Sequence, residues 1–231
     1  MKKIASGDIS VVIQGPKSEN LISSLNAINK FLPDAEIILS VWRSDISTIK
    51  DILPRETKLV INKNIPPLYY DPISGVEDNL IRQVTTTLSG LKKAKRPYSP
   101  KIRSDTILTG KSFFVINEAI EHPLLSSKIT VTNFGFVDPS KLPFLGYFPD
   151  MVMFGETKDL IHYWDFREPP RYYFTMKDLF LWKINFANSG FRLCKYGCEQ
   201  QLALAFSRTG LRRPDRKMKK IIVETDAFPA M

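Results

Sequence analysis

Three short apolar runs separated by helical patterns constrain this chain more than any other feature. Ile9-Ser10-Val11-Val12-Ile13, Glu36 to Trp42 (Glu-Ile-Ile-Leu-Ser-Val-Trp) and Lys58-Leu59-Val60-Ile61-Asn62 are strand-length and rich in β-branched residues. Between the first two, Lys17 to Leu32 carries Leu21, Leu25, Ile28 and Leu32 at helical spacing, and Pro33 stops it. Between the second and third, Ile46 to Leu53 reads as a short helix ended by Pro54. The order strand, helix, strand, helix, strand is that of a parallel sheet, because parallel neighbours need a crossover long enough to hold a helix. Such crossovers are almost always right-handed, and ligands bind at the carboxyl ends of the strands. Gln14-Gly15-Pro16 and Trp42 to Asp45 occupy those ends.

The pattern continues less regularly. A loop from Asn64 to Asp78 precedes a helix expected over Asn79 to Ala94, with Leu80, Val84, Leu88 and Leu91 as its apolar stripe. Asn79, Gln83, Thr86 and Gly90 form a second stripe bordering the first. That placement suits either a cleft wall or a solvated helix edge. Further helices are expected over Lys111 to Glu121, Gly155 to Tyr163 and Glu199 to Phe206, with a strand over Lys128 to Asn133 and a loop over Phe134 to Pro149. Residues 1–133 read as a ligand-binding α/β region and 134–231 as a second lobe continuous with it.

Composition narrows the function. Lys plus Arg outnumber Asp plus Glu by 33 to 24, a net charge of +9, so the surface attracts anions: nucleic acid, anionic lipid or phosphate-bearing substrates. The two cysteines, Cys194 and Cys198, are too few for a disulfide scaffold and lack Cys-x-x-Cys spacing. No Gly-x-Gly-x-x-Gly, phosphate-loop or Gly-x-Ser-x-Gly motif is present, and two histidines without paired spacing argue against zinc. No apolar h-region follows Met1-Lys2-Lys3 and no run of eighteen apolar residues occurs, so neither a signal peptide nor a membrane span is expected.

The strongest local feature is Lys101-Ile102-Arg103-Ser104-Asp105, placed where a mid-chain strand should end. One acid flanked by cations at a strand end can hold a diphosphate, directly or through a divalent cation, or can simply be a salt-bridged strand terminus. In order along the chain, Ile9 to Pro16, Leu32 to Trp42, Asn79 to Leu91 and Tyr98 to Asp105, followed more weakly by Asp150 to Gly155 and Glu199-Gln200, resemble blocks of the WavE family of lipopolysaccharide-synthesis proteins. The resemblance implies a GT-A-like, Rossmann-type, mostly parallel sheet flanked by helices, with a C-terminal acceptor-side lobe. It implies a cytosolic glycosyltransferase that moves a sugar from a nucleotide-sugar onto a lipopolysaccharide core, O-antigen or capsule acceptor. By position Gln14, Gly15, Pro16, Trp42 and Asp45 would hold the nucleotide, and Asp105 would stand at the acidic motif that binds a metal-diphosphate. The Asp-x-Asp common to such enzymes is here Arg103-Ser104-Asp105. One carboxylate can still ligate Mg²⁺ or Mn²⁺; alternatively Arg103 and Lys101 neutralise the diphosphate themselves.

On this reading Asn79, Arg82 and Gln83 contact the donor, and Asp150, then Glu199, are the candidates for the base that deprotonates the acceptor hydroxyl. The basic stretch Arg208 to Lys220 suits contact with an anionic inner leaflet carrying a lipid-linked acceptor, where each cation contributes roughly 1 kcal/mol. Two rivals stand beside it. A relative that has lost catalysis and serves as an assembly partner would explain the missing first acid. A nucleic-acid-binding domain would explain the charge, but no recognition motif for one is present, and none is expected as partner.

Overall fold

A computed structural model of the chain describes residues 2–67, 69–70, 77–116, 125–132 and 150–165. The strands are β1 (Lys2–Lys3), β2 (Ser10–Gln14), β3 (Glu36–Trp42), β4 (Lys58–Asn62), β5 (Tyr69–Tyr70), β6 (Glu77–Asp78), β7 (Tyr98–Arg103), β8 (Val115–Ile116), β9 (Thr130–Val131) and β10 (Val152–Glu156). The helices are α1 (Leu21–Phe31), α2 (Ile46–Ile49), α3 (Leu80–Leu91) and α4 (Thr157–Trp164). The main sheet has six strands in the order β4-β3-β2-β7-β10-β9. β4, β3, β2 and β7 are mutually parallel; β10 runs antiparallel to both β7 and β9. A mostly parallel sheet of this kind, flanked by helices on both faces, is the α/β architecture that the GT-A-like resemblance implies.

The layers follow from period-two alternation along buried strands. Val11 and Ile13 point to one face, where Leu21, Leu25 and Ile28 of α1 and Ile49 of α2 meet them; Ile37, Leu39, Ile102 and Phe154 complete that core. Val12, Ile38 and Met153 point to the other, under Leu80, Val84 and Leu91 of α3 and Leu160, Tyr163 and Trp164 of α4. Each such side chain, fully buried, stabilises the fold by about 1.5–3 kcal/mol before its entropy cost. Gly90 lets α3 lie close to the sheet: a Cβ there would meet Val12 Cγ1 at 2.4 Å and Ser40 Cβ at 3.2 Å. It therefore belongs to the packed face rather than to a cleft wall.

Two sequence expectations are corrected within the described residues. Lys111 to Ile116 is not helical. Phe114 enters the core, and Val115–Ile116 pairs with Lys2–Lys3 as an antiparallel ribbon; β-branched residues with a free strand to pair take the extended state. Gly155 lies in β10, not in a helix, and the helix starts at Thr157. Val152-Met-Phe-Gly is buried on both faces, and such short apolar runs carry no readable period. Thr157 Oγ1 donates to the Arg96 carbonyl (2.8 Å), and the buried Asp159 carboxylate accepts from the amides of Ser126 (3.1 Å) and Ser127 (3.0 Å), tying α4 to the chain on either side. The expected loop over 134–149, the helix over 199–206, both cysteines and the basic stretch 208–220 lie outside the described residues. No helix among the described residues is long and apolar enough to cross a membrane.

A cationic cleft at the strand ends

The carboxyl ends of β2, β3 and β7 converge on one cleft of about 540 Å³, closed on one side by the first turns of α3. Its shape begins with Gly15, whose φ of +127° turns the chain sharply out of β2. A side chain there would collide with Ser104 Oγ, 2.9 Å from the position of a Cβ. Ser104 in turn stitches the two strand ends together. Its amide donates to the Gln14 carbonyl (2.9 Å) and its hydroxyl to the Pro16 carbonyl (2.7 Å).

α3 supplies the opposite wall. The buried Gln14 amide oxygen accepts from Thr86 Oγ1 at 2.8 Å, fixing the side chain at the end of β2 against the helix. One turn earlier, Arg82 donates to Asn79 Oδ1 (2.9 Å) and lies over the ring of Trp42, its Cζ 5.4 Å from the centroid. Planar guanidinium against indole is a favourable cation–π geometry, and it presents the cation at the cleft.

Arg103 and Asp105 form the third side. They make a two-pronged ion pair, Nη2 to Oδ2 at 2.6 Å and Nε to Oδ1 at 3.1 Å, with both side chains more than a third exposed. Partial burial pushes the Asp105 carboxyl upward. The hydrogen bonds and charge of Arg103, with help from its own backbone amide and Thr106, outweigh this and hold it below the usual carboxylate range.

Of the expected contacts, Gln14, Gly15, Pro16, Trp42, Asn79, Arg82, Gln83, Arg103 and Asp105 line this cleft. Asp45 does not line it; its carboxylate accepts from the amide of Lys17, which does, at 3.2 Å. Lys101 and Asp150 are elsewhere, and the expectation that one touches a diphosphate and the other a substrate hydroxyl is corrected. Lys101, fully buried, lies at the middle of β7 rather than its end. It donates to the Asp150 carboxylate (2.9 Å) and carbonyl, and its ammonium sits 5.0 Å from the Trp164 ring centroid. A charge so deep must be paired, and the Asp150 carboxylate pairs it. Glu199 lies outside the described residues.

Lys17, Ser18, Thr86 and Ser104 also line the cleft and were not among the expected site residues. Thr86 was visible as part of the polar stripe on α3; Lys17 and Ser18 directly follow Gln14-Gly15-Pro16, and Ser104 sits between Arg103 and Asp105. Nothing in the sequence marks Lys17, Ser18 or Ser104 as facing the cavity.

The donor set does not fit a hard divalent cation. Such an ion takes several oxygen ligands, carboxylates foremost. Among the described residues the lining offers a single carboxylate, both of whose oxygens accept from a guanidinium, beside three cations: Lys17, Arg82 and Arg103. Among the described residues no three His, Cys, Asp or Glu side chains gather closely enough to hold a metal.

A mostly parallel α/β sheet with a cleft at its switch from β2 to β7, polar and net positive over its described lining, defines the class: an open α/β protein whose cleft lies at the carboxyl edge of the sheet, where such folds take ligands. The chain belongs to the WavE lipopolysaccharide synthesis family, whose model matches residues 9–227, spanning the six-stranded sheet and every residue of the cleft. A comparison with curated proteins finds no match.

Proposed function

We propose that the protein is a glycosyltransferase that moves a sugar from a nucleotide-sugar donor onto a lipopolysaccharide core, O-antigen or capsule acceptor. The observation that carries this reading is the cleft itself, in a family devoted to lipopolysaccharide synthesis. Its volume, about 540 Å³, falls within the roughly 300–1,000 Å³ of small-molecule sites. It also joins polar groups at Asn79 and Gln83 to cations at Arg82, seated on the buried Trp42 ring, and Arg103, a mixture that suits a nucleoside diphosphate.

In the transfer, the bond from the anomeric carbon to the phosphate oxygen breaks and its electron pair stays on the phosphate. The acceptor oxygen bonds to that carbon, and its proton passes to a base. Positive charge grows on the sugar and negative charge on the leaving diphosphate, so fixed cations beside the phosphates lower the barrier. With Asp150 committed to Lys101, Glu199 is the remaining candidate base. On this reading residues within 134–231 take the acceptor, and the basic stretch 208–220 meets an anionic membrane surface.

A melting screen of the full chain against nucleotide-sugars tests the donor. A donor at a hundred times its Kd should add about 2.7 kcal/mol to stability. The matching donor should then label a lipopolysaccharide acceptor in a transfer assay, and Glu199→Gln should slow that step. A chain unmoved by every nucleotide-sugar and nucleoside diphosphate would sink the reading. Binding without transfer to any acceptor would favour the inactive assembly partner, to which Arg103 in place of the first acid also points.

A further inference from the structure

We infer that, if the cleft holds a sugar nucleotide as proposed above, it grips the diphosphate directly through Arg103, Arg82 and Lys17, with Asp105 as the positioning residue for Arg103 rather than the ligand of a bridging metal. Three observations carry this. The first is charge. Among the described residues that line the cleft, three are cations and one is a carboxylate, so their net charge is +2. The diphosphate of a sugar nucleotide carries two negative charges, one per phosphate. On cleavage the terminal phosphate gains most of a third, because its second pKa is about 6. The lining already matches the ground state and is electrostatically poised for the product. A divalent cation would add two charges to a site that is positive without it.

The second observation is that Asp105 is engaged. Both of its oxygens face Arg103, at 2.6 and 3.1 Å, in the fork geometry that guanidinium and carboxylate share. The Asp105 main-chain carbonyl also accepts from Asn20 Nδ2 (3.3 Å), so the turn that carries the acid is tied to the start of α1. The pair therefore fixes where the guanidinium lies, at the rim of the cavity. An exposed pair of this kind is worth only about 0.2–1 kcal/mol, so a phosphate oxygen can share or take over the guanidinium at small cost.

The third is that the other two cations come from separate elements and are themselves placed. Arg82 is held by Asn79 and Trp42, and the Lys17 backbone is held by Asp45. Cations from α3, from the loop after β2 and from the end of β7 thus surround one cavity. Planar guanidinium groups bind phosphate in two-pronged fashion, which gives direction as well as charge.

Titration calorimetry on the full chain with a panel of nucleoside diphosphates and inorganic pyrophosphate, each in EDTA and in excess Mn²⁺, tests the inference. The bound diphosphate should keep its Kd within about threefold in EDTA. Arg103→Ala should weaken it by about thirtyfold, the loss expected for one charge-assisted contact. Asp105→Ala should weaken it several-fold in EDTA at an unchanged melting temperature, and Asp105→Glu, which keeps a carboxylate for Arg103, should restore it. Binding that vanishes in EDTA and returns with Mn²⁺ overturns the inference and leaves the transferase reading standing. So does an Asp105→Ala chain that binds normally in EDTA and loses only a gain due to Mn²⁺. Pyrophosphate bound in EDTA with no nucleotide bound supports the cationic grip and removes the sugar nucleotide. Binding of neither overturns both.

Discussion

β7 carries two ion pairs two residues apart on the same face of the sheet, and their fates are opposite. Lys101–Asp150 is sealed, the side chains 0% and 4% exposed; Arg103–Asp105 stands at the cleft rim at 38% and 44%. Lys101 falls beneath Trp164 and beside Met153, in the middle of the sheet, while Arg103 is the last residue of the strand and reaches past its cover. The lesson is that a cation's distance from the strand end, more than its chemistry, decides whether it can serve a ligand. The inner pair holds the start of β10 against β7 and so keeps antiparallel β10 seated in an otherwise parallel neighbourhood. The outer pair can exchange partners.

The largest expected effect breaks the inner pair. Lys101→Met or Asp150→Leu alone should cost about 3–5 kcal/mol in urea unfolding, since either removes the 2.9 Å pairing of a buried charge. The double variant should recover most of that loss. A single variant with unchanged stability would mean that the pair does not hold β10.

Gly90→Ala comes next. In an open helix the change would gain about 1 kcal/mol. Here the new Cβ collides with Val12 on β2, so a loss of about 1–3 kcal/mol is expected, again in urea. A gain would show that α3 can lift from the sheet without strain.

Arg103→Ala sharpens the contrast from the other side. It should move folding stability by less than about 1 kcal/mol, as for other exposed pairs, while abolishing most diphosphate binding. A loss of stability as large as that of the inner pair would erase the distinction.

The smallest effect concerns the opposite, amino end of the strands. Burial pushes the Glu36 carboxyl up. Hydrogen bonds from Lys58, Ser10 and the Lys95 amide (2.9 Å), with the Lys58 charge, overcome this and hold it below 4.5, its ordinary value. A carboxyl with a depressed folded pKa stabilises the protein above its unfolded pKa, and that contribution fades as pH falls through the folded value. Wild type should therefore lose stability below about pH 4.5 more steeply than Glu36→Gln in an acid melting series, with the two offsets steady from pH 6 to 8. Parallel curves would remove Glu36 from the linkage.

Much of the cleft was legible because parallel α/β order places the ends of its strands at one edge. Gln14, Trp42 and Arg103 could be assigned to that edge from the end of each apolar run, Asn79 and Gln83 from a polar stripe beside an apolar one, and Arg82 from its place in the opening of the same helix. Lys101 could not be separated from Arg103, because both lie in one short motif and i, i+2 residues of a strand share a face. Asp150 as a base candidate rested on its place after a long loop. Its true partner lies 49 residues away in sequence, and no local pattern encodes such a meeting. The strand over Val152–Glu156 was missed for a related reason: a run buried on both faces shows no alternation.

By itself the sequence determined the layered α/β plan, the edge at which a ligand site can form and the excess of positive charge, since these depend on local periodicity and composition. The tertiary structure alone decided which cations reach that site. Insertion of antiparallel β10 beside β7 brings Asp150 and Trp164 over Lys101 and withdraws it from solvent, and the end of that cover leaves Arg103 beside the cleft. Burial is a property of what packs above a residue, and only the folded chain supplies it.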